Sequence, residues 1–283
     1  MYQLRPPAAP LRPYIEHYWS VAPDGDAPVD LQVNVFVDAR ADLVFNFGAA
    51  YARQVLGAAP RRYRRSNFDA QRLRPIRITQ RGAVAVCGVR FHLGGVGPFA
   101  RGPLAAWTDL TPAPADVFGA DVVALEEALR ATDDLDVRAA HLDAFFLRAL
   151  AEGASQQRFA RALAALVASD GGASVAAVAE SVGVSSRQLG RLFAQHLGVA
   201  PKVVAQVLRF QGALRSLMRD PGCALADIAA RCGYFDQAHF VRDFRRFTGG
   251  VPRGYRGYYP PAAPSDFAPN VVLFVQDGAR SGA

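Results

Sequence analysis

One stretch, from Ser174 to Arg256, repeats itself almost in register, and that repeat limits what the chain can fold into. In the first copy Val175, Val178 and Ala179 lie at helical spacing, Gly183 interrupts, and Leu189, Arg191 and Phe193 resume the helical period before Gly198 and Pro201. In the second copy Leu225, Ile228, Ala229 and Gly233 stand fifty positions on. Phe240, Arg242, Phe244, Gly249 and Pro252 stand fifty-one positions on, so the second copy holds one extra residue in its turn.

Each copy reads as a short helix, a tight turn containing glycine, and a second helix packed across the first. Ala179 and Ala229 allow close helix approach. Gly183 and Gly233 fall where the chain leaves the first helix, a position that favours positive φ. In the second helices Leu189, Leu192 and Phe193, and likewise Phe240, Phe244 and Phe247, recur at three and four, so one side is core. The opposite side is left to meet a partner.

Those free sides carry Arg187, Gln188 and Arg191 in the first copy. In the second they carry Asp236, Gln237, His239 and Arg242, with Arg245 and Arg246 one turn further on. Arginine matches the paired acceptors of guanine, and glutamine the acceptor and amino group of adenine. These nine residues are the candidate DNA contacts. Between the copies, Pro201 to Arg219 reads as one helix with an apolar stripe of Val203, Val204, Val207, Leu208, Leu214 and Leu217. It would be roughly 28 Å long, against about 34 Å between major-groove segments on one face of B-DNA. One chain can thereby present two reading helices to adjacent groove segments.

The tandem motif, its joining helix, and the run Ile228-Ala229-Ala230-Arg231-Cys232-Gly233-Tyr234 with Phe240, Phe244, Gly249, Pro252, Tyr255 and Arg256 resemble the AraC/XylS family of bacterial transcription regulators. The resemblance covers about a hundred residues, from Gln157 to Tyr259. It implies a sequence-specific DNA-binding regulator, with RNA polymerase as a further partner. Gly190 departs from the pattern: it lies within the first reading helix, where the family often has a longer polar side chain. Glycine there costs about 1 kcal/mol relative to alanine, and it offers no base contact.

Charge is distributed in keeping with that reading. The chain has a formal net charge of +7 over 283 residues. Residues 1–160 hold 18 Arg against 17 acids, and residues 161–283 hold 14 Arg plus Lys against 8, so six of the seven excess charges accompany the repeat. Such an excess suits a segment that neutralises phosphates. At 51% hydrophobic the chain has enough apolar residues for two domain cores,. The three cysteines, Cys87, Cys223 and Cys232, are scattered without the close pairs used by zinc or redox chemistry,. No apolar run approaches eighteen residues and the N-terminus lacks a signal-peptide core, so a cytoplasmic location without a membrane partner is expected.

The part before the repeat reads as strands and then helices. Leu31–Val37 alternates, and Leu43–Phe47 and Ala83–Phe91 are β-like runs, the last apolar enough to lie inside a sheet,. The cluster Arg61-Arg62-Tyr63-Arg64-Arg65 reads as a solvated loop or edge strand. Phe91–Phe99 is a strand end entering a Gly-rich turn that lacks the signature of a nucleotide loop. His17, His92 and Glu16 lack metal-ligand spacing, and no metal or cofactor is expected. Among the aromatic residues, Phe45, Phe47, Phe91 and Trp107 are candidates to line an effector pocket, or simply to form core. From Asp121 to Ala151 the period becomes helical, with Asp136 as a candidate cap. Leu142, Phe145 and Phe146 are candidates either for a homodimer surface or for packing on their own domain.

The expected architecture is α+β. A β-rich, barrel-like N-terminal domain with trailing helices occupies 1–153, and an all-α tandem helix-turn-helix domain occupies 154–259. The tail, 260–283, is expected to dock through Val271–Val275 as a strand. The resemblance implies a cupin-type regulatory barrel controlled by a small molecule or by oligomerisation. Two rivals remain on sequence grounds: a DNA-repair methyltransferase of Ada type, which needs an activated cysteine, and an architectural DNA-binding protein without effector control. No carboxylate pair, Ser/His/Asp order or nucleotide motif points to catalysis.

Overall fold

A computed structural model describes residues 2–21, 29–63, 66–151, 153–220, 222–255 and 271–274. Arg64, Arg65, Glu152, Arg256, Tyr259, the proline-rich 260–264 and Val275 lie outside the described residues.

The N-terminal half is built from strands β1 (Tyr2–Arg5), β2 (Ile15–Val21), β3 (Val29–Val35), β4 (Asp42–Asn46), β5 (Tyr51–Val55), β6 (Arg61–Tyr63), β7 (Asn67–Asp69), β8 (Ile76–Gly82) and β9 (Val86–Phe91). A further strand, β10 (Val271–Phe274), comes from the end of the chain. They form two five-stranded antiparallel sheets, ordered β1-β2-β9-β4-β7 and β10-β3-β8-β5-β6. Among the described residues these sheets remain open, so the barrel-like closure expected from the strand content is not seen. β9 is buried at every position, as its nearly continuous apolar run requires, and its one charge, Arg90, is paired with Asp38 and Asp42,. β10 pairs with β3, placing Val271 opposite Val35.

Helices α1 (Pro114–Phe118), α2 (Asp121–Arg130) and α3 (Leu135–Ala149) cover the first sheet. Phe146 of α3 meets Phe91 of β9 edge-on at 5.6 Å and Phe99 at 5.0 Å. Leu142, Phe145 and Phe146 are thus spent on this core, which leaves none of them for a dimer surface. The cap of α3 is Asp134, which accepts from the amides of Asp136 and Val137. Asp136 instead pairs with Arg5 of β1. The short Pro114–Phe118 helix begins within the stretch that reads as strands and loops, because five residues are too few to establish a period.

The C-terminal half is helical: α4 (Ala154–Ala168), α5 (Val175–Ser181), α6 (Ser186–His196), α7 (Pro201–Arg219), α8 (Leu225–Arg231) and α9 (Gln237–Thr248). Two cores alternate along it. One gathers Phe159, Leu163 and Leu166 of α4 with Val178, Leu189, Phe193 and Val204. The other gathers Phe210, Leu214 and Leu217 of α7 with Ile228, Phe240, Phe244 and Phe247.

That second core also includes Phe36, Val37 and Ala39. The alternating run Leu31–Val37 reads as a strand whose pattern Phe36 breaks, and β3 stops at Val35, just before that break. The following loop leaves the sheet and enters the helical half. There the Val37 amide donates to the Phe247 carbonyl at 3.2 Å, and Gln211 Nε2 donates to the Val37 carbonyl at 2.6 Å.

Candidate nucleic-acid interface

The two helix-turn-helix units are constructed alike. Gly183 and Gly233 hold φ of +69° and +71°, conformations that a Cβ would strain,. Directly after them the amides of Val184 and Tyr234 donate to Ala179 and Ala229 carbonyls, both at 3.0 Å. Each second helix then starts on a polar cap. The Ser185 hydroxyl accepts from the Gln188 amide, and Gln188 Oε1 in turn accepts from the Ser185 amide at 2.8 Å,. Asp236 accepts from the His239 amide at 2.6 Å. An acidic cap also suits the positive end of the helix dipole.

Burying Leu189 and Phe193 turns Arg187, Gln188 and Arg191 outward on α6. Burying Phe240, Phe244 and Phe247 likewise exposes Gln237, Arg242, Arg245 and Arg246 on α9. The side chains of Arg187, Arg191, Arg242 and Arg245 have no hydrogen-bond or ion-pair partner among the described residues. Arg246 lies over the Phe247 ring and reaches Gln206 of α7 at 3.5 Å. His239 is half-buried, edge-on to Tyr234 at 5.1 Å and 3.8 Å from Asp243. Gln188 and Asp236 are therefore capping groups first, and both remain exposed at the helix ends.

One flank of α6 borders an open cleft. Between the 93–106 segment and α6 lies a cavity of about 470 Å³, lined by Gly97, Ala100 and Pro103 on one side and Arg191, Ala194 and His196 on the other. Beside it Thr108 donates to the Gly198 carbonyl at 2.7 Å, and Ser155 Oγ lies 2.8 Å from His196 Nε2. The aromatic candidates for an effector pocket sit elsewhere. Phe45 and Phe91 are fully buried in the sheet core, Trp107 packs on its edge, and Phe47 lies under the guanidinium groups of Arg130 and Arg138. These four rings are packed against protein atoms and do not line this cavity.

Two features escaped the sequence reading. The first is Phe235, which is 93% exposed immediately before the cap of α9. Counting the repeat places one extra residue between Gly233 and Phe240, and the hydrogen bonds of the turn single out Phe235. The second is a buried ionic cluster in the β-rich half. Arg72 and Arg90 both reach Asp38, Arg90 also pairs with Asp42, and Asp69 joins Arg72 to Arg53 at 3.0 Å. These residues are spread over fifty positions in sequence, so no local pattern announces them. Burial strongly opposes the charge on Arg90, yet Asp38 and Asp42 hold its pKa above the ordinary value.

Groups considered for other chemistry are engaged structurally. Burial pushes the Cys87 thiol up to about 11, the opposite of an activated nucleophile. Glu16 accepts from Arg40 at 2.8 Å, and burial lowers His17 to about 4. Among the described residues no helix is long and apolar enough to cross a membrane.

Residues 178–258 match a helix-turn-helix domain family, and residues 3–112 match a family described as a domain of unknown function (DUF6597). The HTH-type transcriptional activator RhaS of Escherichia coli O139:H28 is 41% identical over 80 residues, which is 28% of this chain and 28% of RhaS. The chain thus spans little more than a quarter of the length of the curated relatives it matches. A transcriptional regulator from Chromobacterium violaceum, described as an AraC-type DNA-binding domain-containing protein, is 30% identical over 38% of this chain and 97% of its own, with a TM-score of 0.35. ToxT from Vibrio cholerae is 10% identical over 81% of this chain and 97% of its own, with a TM-score of 0.44. Through the tandem unit of residues 178–258, with its matched turns and its caps at Ser185 and Asp236, the chain belongs to the AraC/XylS family of helix-turn-helix regulators.

Proposed function

We propose that this chain is a sequence-specific DNA-binding transcription regulator whose α6 and α9 read adjacent major-groove segments. The observation that carries the reading is Arg191 and Arg242, equivalent residues on two equivalently capped helices, both exposed and both without an internal partner among the described residues. Arg187, Gln188, Gln237, His239, Arg245 and Arg246 extend the same surfaces, and Asp236 positions α9. α7 joins the units as one uninterrupted helix of 19 residues, which supports a fixed spacing between the reading helices,.

Residues 1–153 form the regulatory part in this reading and 154–259 the DNA-binding part. The regulatory part is of the cupin-like β-rich kind, and acts non-enzymatically on the helical half through a small molecule or through self-association. The Phe36–Ala39 loop and the Thr108–Gly198 contact supply the physical route, since both tie the sheets to the reading units. Any such ligand must bind the two arrangements of the units with different affinity.

The test is selection of bound duplexes from a random pool at fixed salt, with parent, Arg191→Ala and Arg242→Ala proteins. Enrichment of a two-part motif, one part lost in each variant, is the expected result. Binding by all three proteins with no sequence preference would reject specific reading in favour of an architectural role.

A further inference from the structure

The second helix-turn-helix exceeds the first by one residue, and paired hydrogen bonds locate that residue. Val184 and Tyr234 are equivalent, because their amides donate to the matching carbonyls of Ala179 and Ala229. The next matching pair is Ser185 and Asp236, the caps of α6 and α9. Phe235, between Tyr234 and Asp236, has no counterpart in the first unit. At 93% exposure it is the most exposed large hydrophobic residue among those described.

Its position narrows what can cover it. Phe235 adjoins the amino end of α9, the end that a recognition helix directs at base edges. The exposed residues that follow are Asp236, Gln237, Ala238 and, one turn on, Arg242. A single ring in polar and basic surroundings is not the wide apolar patch that a protein partner requires. In the major groove the apolar group available to such a ring is the 5-methyl of thymine. The two units also differ in the right sense: Arg187 of α6 corresponds to Ala238 of α9, so the second unit lacks an arginine at its leading edge and carries the inserted ring there.

We propose that Phe235 is a specificity residue, whose ring packs on the 5-methyl group of one thymine at the edge of the half-site read by α9. The inference rests on the DNA-reading proposal above. It assigns the second unit a preference that the first cannot have, since no first-unit residue occupies the place.

The test begins with the duplex that the parent protein enriches, resynthesised with deoxyuridine in place of each thymine in turn. That exchange removes one methyl group and leaves every hydrogen bond in place. Parent, Phe235→Ala and Phe235→Leu proteins are titrated against the set. The parent should weaken about fourfold at one thymine, the worth of one buried methyl, within the half-site lost in Arg242→Ala. Phe235→Ala should bind the thymine and uracil forms of that position equally, and Phe235→Leu should retain part of the preference. Because the ring packs on nothing internal, both variants should melt with the parent. A Phe235→Ala protein that keeps the parental thymine preference overturns the proposal. So does a sensitive thymine in the half-site lost in Arg191→Ala. Unchanged duplex binding with lost transcription assigns the ring to a protein partner and also overturns it. A parent that enriches no sequence overturns the DNA-reading proposal itself, and this one with it.

Discussion

The two helix-turn-helix units repeat one another in their turns and caps, but they are set differently into the protein. Behind α9, Phe240, Phe244 and Phe247 share a core with Phe36 and Val37 from the β-rich half. Behind α6, Leu189 and Phe193 instead share a core with α4, and the helix flank borders an open cleft with Arg191 and His196 on its wall. At the position equivalent to His196 the second unit has Phe247. A repeat therefore specifies how each unit folds, whereas the residues that depart from the repeat specify what each unit leans on.

The largest expected difference lies in the cores. Truncating a buried phenylalanine costs about 3–5 kcal/mol, and both Phe193→Ala and Phe244→Ala should destabilise the protein on that scale in denaturant titrations. They should differ in reach. Phe244 contacts Phe210, Phe240 and Tyr255, and Tyr255 in turn meets Phe36 edge-on at 5.2 Å. Phe244→Ala should accordingly strip hydrogen-exchange protection from the Val37 amide, which donates to Phe247, while Phe193→Ala leaves it protected. Equal loss in both variants would mean that the second core is not the joint between the halves.

Next in size is the asymmetry in DNA reading. A bidentate arginine contact is worth about 1–3 kcal/mol of base discrimination, and Arg242 stands clear to make one. Arg191 lines the cavity against the 93–106 segment, so Arg191→Ala should cost less than Arg242→Ala in titrations of the selected duplex. Thr108→Val, which removes the hydrogen bond to the Gly198 carbonyl, should release α6 and narrow the gap. A gap unmoved by Thr108→Val would show that this contact does not restrain α6.

These contrasts also explain what was legible beforehand. α5, α6, α7, α8 and α9 announce themselves because the helical period and the turn glycines Gly183 and Gly233 agree locally,. β9 was legible as a nearly continuous apolar run, although the partners of Arg90 within it were not. The end of β3 was legible only as the break at Phe36, because the destination of Phe36 and Val37 is a core assembled from residues some two hundred positions away. Asp134 and Asp136 both suit a helix start, and only the partner Arg5, distant in sequence, separates the cap from the ion pair. The candidate contacts on α6 and α9 followed from which faces the cores consume. The roles of Gln188 and Asp236 as caps, and the isolation of Phe235, required the register of the turn.

A pH difference between the units should be smaller. Burial lowers the pKa of His196, so between its folded and ordinary values the unfolded chain binds more protons than the folded one. Stability from the neutral imidazole is complete above the unfolded value of about 6.5 and is lost as pH falls toward the depressed folded value. Phe247 has no such dependence. Hydrogen exchange, corrected for its intrinsic pH dependence, should show α6 losing protection relative to α9 between about pH 7 and pH 5. His196→Gln should abolish the difference. Its persistence in that variant would place the titration elsewhere, with His17 the next group to test, since burial holds it at about 4.

The smallest effect, and the only stabilising one, is at Gly190. A glycine in a helix interior costs about 0.5–1 kcal/mol relative to alanine, chiefly through backbone entropy. In α6 a Cβ at this position would meet no atom within 4 Å, so nothing opposes the substitution. The equivalent residue of α9, Val241, already carries a side chain. Gly190→Ala should raise the melting temperature by a few degrees and leave the spread of protection between α6 and α9 narrower than in the parent. If Gly190 serves only as open backbone, duplex affinity should be unchanged in the same protein. A stabilised variant with weakened DNA binding would instead mean that the empty space beside Gly190 is where the nucleic acid approaches α6 most closely.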